Sequence, residues 1–238
     1  MKPTIFYRYS FYMVGLLILA LGLTLNTKAG LGVSPIISVP YSLSLIFGFN
    51  FGNMTLVFYC VFVLIQIIIH MLQYRQSASH EEKNKVFFTF IMILLQIPLS
   101  IIFTRFLNIF SMLLPEFSYQ TQTISGYMLR AAVLILAILC TGIGAAMSLS
   151  MRLVPNPGDG IVQAIADCIH KKVGFTKNCF DLLNISITIS IGLLLAGKLT
   201  GIGIGTVIAV LGVGRTIALF QHFTLHKMNE LAGLETAR

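Results

Sequence analysis

Long runs of apolar residues constrain this chain more than any other feature of its sequence. A helix needs roughly 20 such residues to cross the hydrocarbon core of a bilayer. The runs lie at residues 11–25, 35–47, 53–73, 86–114, 126–150, 158–171, 178–197 and 201–221. The second and the sixth are too short to cross alone, so the pattern predicts six crossings and two shorter helices.

The composition supports a membrane protein. The chain is 56% hydrophobic, has a mean hydropathy of +0.88 and carries only 10% charged residues, against about 25% in a typical soluble domain. Such a chain could not cover its own surface in water, so its main partner is predicted to be the lipid bilayer. No nucleic-acid partner is expected, because basic cytoplasmic loops explain the net charge of +8. The four cysteines form no CxxC motif, and no metal or other cofactor is expected.

The distribution of basic residues predicts the orientation. With six crossings, cytoplasmic termini place 12 of the 16 Lys and Arg residues on the cytoplasmic side, as the positive-inside rule requires. Those 12 are Lys2, Arg8, Arg75, Lys83, Lys85, Arg152, Lys171, Lys172, Lys177, Arg215, Lys227 and Arg238. The remaining four are Lys28, Arg105, Arg130 and Lys198. If each short helix also crossed, the basic loops would fall on opposite sides of the membrane.

Two polar, glycine-bearing stretches interrupt the apolar pattern, "LNTKAGLGVSPIISVP" at 25–40 and "SMRLVPNPGDGIVQA" at 150–164. Ser34-Pro35 and Asn156-Pro157 each place a side-chain cap before a proline at the first helical position. Both therefore predict the start of a half-helix. Unpaired backbone groups at membrane depth are tolerated only inside protein or beside a watery cavity, so the breaks predict a site. The alternative is an extramembrane turn followed by an interfacial helix.

The two interruptions occupy matching places in the two halves of the chain. Each half has a span, a break, a short helix and two further spans, with repeat one at about 11–114 and repeat two at about 126–221. Gly22 of the first half is matched with Gly142 of the second. Three crossings per half mean that the second half enters from the opposite face. The predicted fold is an all-α membrane protein, one polytopic domain over 1–238. Its six transmembrane helices form two inverted three-span repeats, each with a broken or re-entrant half-helix.

Three motifs resemble the YczE/YyaS/YitT group of bacterial integral membrane proteins. They are "AGLGVSP" after the first span, the Gly-Asp-Gly of "NPGDGIVQA" and "LTGIGIGTVIAVLGVG" near the end. The resemblance runs from about residue 13 to 222. An acidic residue often follows the first Ser-Pro in that group, whereas this chain has Ile36 and Ile37. The resemblance implies a multi-pass protein of the bacterial inner membrane and is compatible with a transporter, but it implies no substrate.

Polar residues at the breaks are the candidates for binding a solute. Asp159 follows the second Asn-Pro, and ionisable groups at membrane depth are costly and usually functional. Asp159 could instead only cap the helix and favour its dipole. Gln163 and Asp167 follow at intervals of four residues on the same face. Asp167 could simply pair with Lys171.

Further candidates lie in the fifth span and beside the first break. Asp181 and Asn184 could face the same cavity as Asp159, or could hold Lys177 or a neighbouring helix. Lys28 near a half-helix start would favour an anion, or could extend to the headgroups. The predicted solute-binding set is Asn26, Lys28, Ser34, Asn156, Asp159, Gln163, Asp181 and Asn184.

These observations predict a small-solute transporter or permease whose site lies at the two helix breaks. Its solute would be small and polar or anionic, and a homo-oligomer is a further possibility. The alternative is a non-transporting membrane accessory or scaffold protein, whose polar residues would disperse to headgroups and loops. Because neither HExxH nor GxSxG occurs, no enzymatic activity is expected.

Overall fold

The fold is taken from a computed structural model that describes residues 3–76, 80–117 and 123–234, without the side chains of 75, 76 and 80–86. The described part of the chain forms eight α-helices and no strand. They are α1 (Pro3–Ala29), α2 (Pro35–Phe47), α3 (Phe51–Gln76), α4 (His80–Leu113), α5 (Ile124–Ser150), α6 (Pro157–Cys168), α7 (Val173–Ala196) and α8 (Ile204–Ala232).

The predicted division into six long and two short helices is confirmed. All helices except α2 and α6 are long and apolar enough to cross a membrane. Helix α2 covers the predicted run at 35–47, whereas α8 continues to Ala232, well past the predicted end at 221. Hydropathy detects only the part of a helix that lies in lipid, so it misses polar turns that extend into water.

Helices α1 and α5 form the centre of the molecule. In their most apolar stretches 61% and 56% of the residues are buried, against 22–28% in the other four spans. Glycines allow the two backbones to approach closely, since a Cβ on Gly22 would lie 2.4 Å from the Thr141 backbone nitrogen. A Cβ on Gly144 would lie 2.3 Å from that of Leu19. Small residues commonly mediate such contacts between helices in lipid.

The chain turns back into the molecule after α5. Arg8, near the start of α1, donates hydrogen bonds to the carbonyl oxygens of Met151 and Arg152 at 2.9 and 3.1 Å. Tyr12, one turn further along α1, donates to the carbonyl of Val154 at 2.7 Å. Residues 151–156 therefore run along α1 toward its middle, and α6 begins there rather than at the surface.

A matching turn follows α1. Arg130, near the start of α5, donates to the carbonyl oxygens of Ala29 and Gly30 at 2.9 and 2.5 Å. The backbone N–H of Ser34 then donates to Asn26 Oδ1 at 2.9 Å, which draws the start of α2 back alongside α1. Because the end of each central helix lies beside the start of the other, α1 and α5 are antiparallel.

A shift of 122 residues relates the two halves. Pro157 follows Pro35 by that number, and Val173, the first residue of α7, follows Phe51, the first of α3, by the same number. The left-handed residues Gly30 and Arg152 are also 122 apart, as are Gly48 and His170. This shift matches Gly22 with Gly144, two residues from the Gly142 chosen from sequence.

Contacts between the halves are reciprocal under this shift. The contact of Gly22 with Thr141 corresponds to that of Gly144 with Leu19. The bonds from Arg8 to the second break correspond to those from Arg130 to the first. In the same way, α2 packs on α7 and α6 packs on α3.

The two sides of the molecule differ in how tightly they are closed. On the side of the α7–α8 turn, predicted to be external, the backbone N–H of Val33 donates to the Gly201 carbonyl at 3.0 Å. On the same side the hydroxyls of Ser42 and Thr200 lie 2.6 Å apart. On the opposite side, α3, α4 and α6 enclose an open cavity instead. The second break is therefore open to the side that the charges predict to be cytoplasmic.

Candidate functional site

The starts of α2 and α6 meet at a small central cavity. Its volume is about 50 Å³, enough for a few water molecules. Its polar lining consists of Ser34, Tyr59, Thr141, Asn156, Asp159 and Lys177. The half-helices touch here, because a Cβ on Gly158 would lie 2.9 Å from Ile36 Cγ1. The structure therefore brings together Ser34, Asn156 and Asp159 from the predicted set.

The two half-helices begin differently. Asn156 Oδ1 accepts a hydrogen bond from the backbone N–H of Gly158 at 3.1 Å, so the predicted cap of α6 is confirmed. The Ser34 side chain makes no capping bond, so the prediction for α2 is wrong in this detail. The Ser34 carbonyl accepts instead from the Ile37 N–H at 3.1 Å, which leaves the hydroxyl at the cavity.

Asp159 lies in the first turn of α6, partly buried at the central cavity. Among the described residues no group donates a hydrogen bond to its carboxylate. It is nevertheless within electrostatic range of Lys177 and Asp181. Both half-helices also direct the positive ends of their dipoles toward this cavity. Asp159 thus lies beside two positive helix ends and Lys177 but also near the acidic Asp181, and its oxygens accept no hydrogen bond from the described residues.

Asp181 and Asn184 are held mainly by their own helix. Asp181 forms an ion pair with Lys177 at 3.5 Å, its side chain is 8% exposed, and its Oδ1 is buried without a hydrogen-bond partner among the described residues. Asn184 donates to the Phe180 carbonyl at 2.8 Å. The alternative in which Asp181 holds Lys177 is therefore the arrangement found. Neither Asp181 nor Asn184 is among the residues that line the central cavity. Asp181 is connected to the cavity only by its ion pair with Lys177, which does line it.

Asn26 and Lys28 are placed differently from each other. Asn26 Oδ1 accepts a hydrogen bond from the backbone N–H of Ser34. Asn26 therefore does not line the cavity itself but holds Ser34, which does. Lys28 is buried and forms an ion pair with Glu116, beyond α4. The N–H of Phe117 also donates to the Lys28 carbonyl at 3.2 Å. Lys28 therefore anchors the segment after α4 and is not among the residues that line the central cavity.

A second cavity of about 310 Å³ lies on the predicted cytoplasmic side. Its polar lining includes Gln66, His70, Gln96, Arg152, Gln163 and Asp167. Gln163 Nε2 donates to Asp167 Oδ1 at 2.8 Å; among the described residues Lys171 is not a partner of Asp167. The predicted site residues thus divide between two cavities, with Asp159 in one and Gln163 in the other.

The two cavities are neighbours across the first turn of α6. Asn156, Gly158 and Asp159 line the central one, and Pro155 and Gly160 line the other. The amides of Gln66 and Gln96 exchange two hydrogen bonds, at 3.1 and 2.9 Å. A Cβ on Gly160 would lie within 2.8 Å of both amides, so the missing side chain leaves room for the pair.

Sequence reasoning missed Tyr59, Gln66 and His70 as site residues. Tyr59 is buried against Asn156 and close to Asp159, but a tyrosine within an apolar run carries no distinct signal. Gln66 could have been found, because an amide in the middle of a predicted span needs a hydrogen-bonding partner. From sequence, Lys177 was considered for its charge and as a partner of Asp181, but not as a residue that lines the cavity.

The fold and the two cavities define a class: a multi-pass α-helical membrane protein in which two short helices meet inside the bundle. The chain belongs to the family of unknown function DUF6198, whose model matches residues 6–222. The comparison with curated proteins finds no match, nor does that with solved structures. Of what the resemblance to the YczE/YyaS/YitT group implies, only the multi-pass membrane character is supported, by the six apolar helices.

Proposed function

We propose that this protein is a small-solute transporter or permease of the bacterial inner membrane. The observation that carries the proposal is the meeting of two half-helix starts at a buried cavity. One carboxylate there, that of Asp159, accepts no hydrogen bond from the described residues. Discontinuous helices whose ends face the solute are a recurrent feature of secondary transporters.

The placement of polar residues supports transport over a scaffold role. A scaffold has no need of interrupted helices, whose free backbone groups must be satisfied inside the membrane. It would also leave its polar side chains at loops and headgroups. Here Ser34, Asn156, Asp159 and Lys177 instead surround one cavity between the central helices.

We further propose that the halves are inverted repeats related by a two-fold axis in the membrane plane. A two-fold axis generates reciprocal contacts, in which i contacts j and j contacts i. The pairs Gly22–Thr141 and Gly144–Leu19 follow that rule under the 122-residue shift. Because α1 and α5 are antiparallel, such an axis runs perpendicular to them. Transporters with such repeats alternate access by moving one part against another.

The solute is small and polar or anionic. Two helix starts and Lys177 favour a negative group at the central cavity, and the Asp159 carboxylate is available to accept hydrogen bonds from a solute. The volume of about 50 Å³ is too small for an organic solute, so the central site would have to widen to admit one. The larger cytoplasmic cavity is the route by which a solute would reach it.

Flux through reconstituted protein tests the proposal, with Asp159→Asn as the informative variant. Proteoliposomes are loaded with a mixture of bacterial cytoplasmic metabolites, and mass spectrometry follows which of them leave. We expect protein-dependent loss of one or a few solutes. We also expect Asp159→Asn to abolish that loss with little change in stability, about 1 kcal/mol or less, because asparagine retains the shape and some capping ability.

Glu230→Gln provides the matched control, because Glu230 is an exposed acid near the end of α8. It should transport as the unaltered protein does. Two results would contradict the proposal. One is release of no solute above protein-free vesicles, and the other is flux through Asp159→Asn equal to that of the Glu230→Gln control.

A further inference from the structure

The cavity on the cytoplasmic side carries separated charges of opposite sign. Arg152 and Asp167 both line it, and no ion pair between them occurs in the described part of the chain. Its volume of about 310 Å³ lies at the lower end of the range found for small-molecule sites. Its other polar lining residues are Gln66, His70, Thr89, Gln96 and Gln163.

Arg152 lies at a left-handed position of the backbone. Its φ is 50°, in the region that strongly favours glycine, and the residue 122 positions earlier, Gly30, has a φ of 63°. The Arg152 carbonyl accepts a hydrogen bond from Arg8. His170 is left-handed as well, so what distinguishes Arg152 is its place in the lining of the cavity.

At the acidic end of the cavity, the Asp167 carboxylate can still accept hydrogen bonds from a ligand. Asp167 accepts one hydrogen bond, from Gln163 Nε2, and has a second oxygen. His70 lies within electrostatic range of Asp167 and its side chain interacts with that of Gln73, while its buried Nδ1 has no hydrogen-bond partner among the described residues. An unsatisfied buried nitrogen is unfavourable unless a ligand or water completes it. A cationic group between Asp167 and His70 would be such a partner.

We propose that this cavity binds a small zwitterion, with its anionic group at Arg152 and its cationic group at Asp167. This inference deepens the proposed function, on which it rests, by naming the solute class at the cytoplasmic end of the path. Amino acids have this chemistry, with an ammonium group that can donate to His70 Nδ1, and so does the headgroup of phosphatidylethanolamine. Betaines carry the same charges but have no N–H to donate. Of these two sources, a soluble molecule and a lipid, we assign the cavity to a water-soluble zwitterion.

Thermal unfolding of purified, delipidated protein in detergent tests binding without requiring transport. The soluble probes are glycine, L-alanine, L-glutamine and glycine betaine at millimolar concentrations. L-Lactate lacks the cationic group of L-alanine, and L-alaninamide lacks the anionic one. We expect at least one zwitterion to raise the unfolding temperature and both single-charge analogues of L-alanine to have much weaker effects. Short-chain phosphatidylethanolamine forms the lipid arm.

Arg152→Gly is the key variant, because it relieves the backbone strain while removing the guanidinium. We expect it to unfold at a higher temperature and yet to bind the zwitterion about tenfold more weakly or worse. Asp167→Asn should weaken binding similarly, although its amide oxygen can still accept from Gln163. His170→Gly is the matched control, because His170 is also left-handed, with a φ of 51°, and is not among the residues lining the cavity. It should gain stability and keep its affinity.

Three results would overturn the inference. They are stabilisation by no zwitterion, equal stabilisation by L-alanine and both of its single-charge analogues, and equal affinity of Arg152→Gly and the His170→Gly control. Stabilisation by phosphatidylethanolamine alone would assign the cavity to a lipid headgroup and reject a soluble zwitterion. Because flux in vesicles is measured separately, failure here would leave the test of the transporter proposal intact.

Discussion

Two arginines stabilise the helix breaks from opposite ends of the central pair. Arg8 and Arg130 each donate from Nε and a terminal guanidinium nitrogen to two carbonyl oxygens of the opposite break. The last carbonyls of a helix have no partner within it, and within the membrane water does not supply one. The arginines fill that role, and their charge also favours the negative ends of the helix dipoles.

Replacing Arg130 with glutamine should destabilise the protein. Arg130 is buried and donates two hydrogen bonds to the end of α1. Loss of charged bonds to buried carbonyls should lower the free energy of unfolding by about 2 kcal/mol or more, measured by denaturation in detergent. Arg105→Gln is the control, because the Arg105 bond to Asn53 is exposed; equal losses in the two variants would exclude the capping role.

Side-chain roles were only partly predictable from sequence. The Asn156 cap follows from local spacing, and the structure contains it. The roles of Arg8 and Arg130 depend on contacts between residues more than 100 positions apart. From sequence these two residues served only as markers of orientation. Such long-range partners cannot be read from one sequence, because periodicity gives a face of a helix and not its neighbour.

At the scale of elements, the crossing of α1 and α5 depends on glycines at matched positions. Gly22 and Gly144 each face backbone of the other helix at a distance that leaves no room for a Cβ. Both residues are buried within helices that have 27 residues each. Because α1 and α5 approach closely, the two helix breaks lie next to each other near the middle of the bundle.

Alanine at either glycine should disturb the crossing by a similar amount. We expect Gly22→Ala and Gly144→Ala each to lower the free energy of unfolding by about 1–3 kcal/mol through overpacking. Gly214→Ala, where a Cβ would meet nothing within 4 Å, should instead raise it by about 0.5–1 kcal/mol. Denaturation in detergent compares all three variants. A neutral effect at both buried positions would refute the tight crossing.

The existence and type of the helices followed from the sequence, since the length of an apolar run and the position of a proline are local signals. Both short helices begin at or beside the predicted proline. The extent of the helices was less predictable. Helix α1 begins at Pro3, whereas its apolar run begins at residue 11, because the added turns are stabilised by protein contacts such as that of Arg8.

At the scale of the whole molecule, the two sides differ although the contacts of the two halves correspond. The hydroxyl pairs Ser38–Thr188 and Ser42–Thr200, at 2.7 and 2.6 Å, close the side of the α7–α8 turn. The other side holds the cavity of about 310 Å³. This difference between otherwise corresponding halves indicates that the proposed path is more accessible from the side that the charges predict to be cytoplasmic.

Thiol labelling in intact cells tests the orientation. A membrane-impermeant reagent should modify Ser125→Cys from outside and should not reach Glu230→Cys, because the distribution of basic residues predicts a cytoplasmic C-terminus. Both positions are exposed. The equivalent expectation for positions 121 and 79, which lie outside the described residues, is labelling at 121 only. Labelling of Glu230→Cys without Ser125→Cys would reverse the topology.

The central claim is that the two breaks form one site inside the membrane, and a disulfide across them tests it most directly. Cysteines replace Ile36 and Gly158 in a protein whose native Cys60, Cys140, Cys168 and Cys179 have been changed to alanine. The space between Ile36 and Gly158 suits a disulfide, which requires Cβ atoms about 3.5–4.5 Å apart. We expect rapid oxidative cross-linking of this pair and none between cysteines at 36 and 163. Failure of the 36–158 pair to form, while a 42–200 pair forms in the same membranes, would contradict the account.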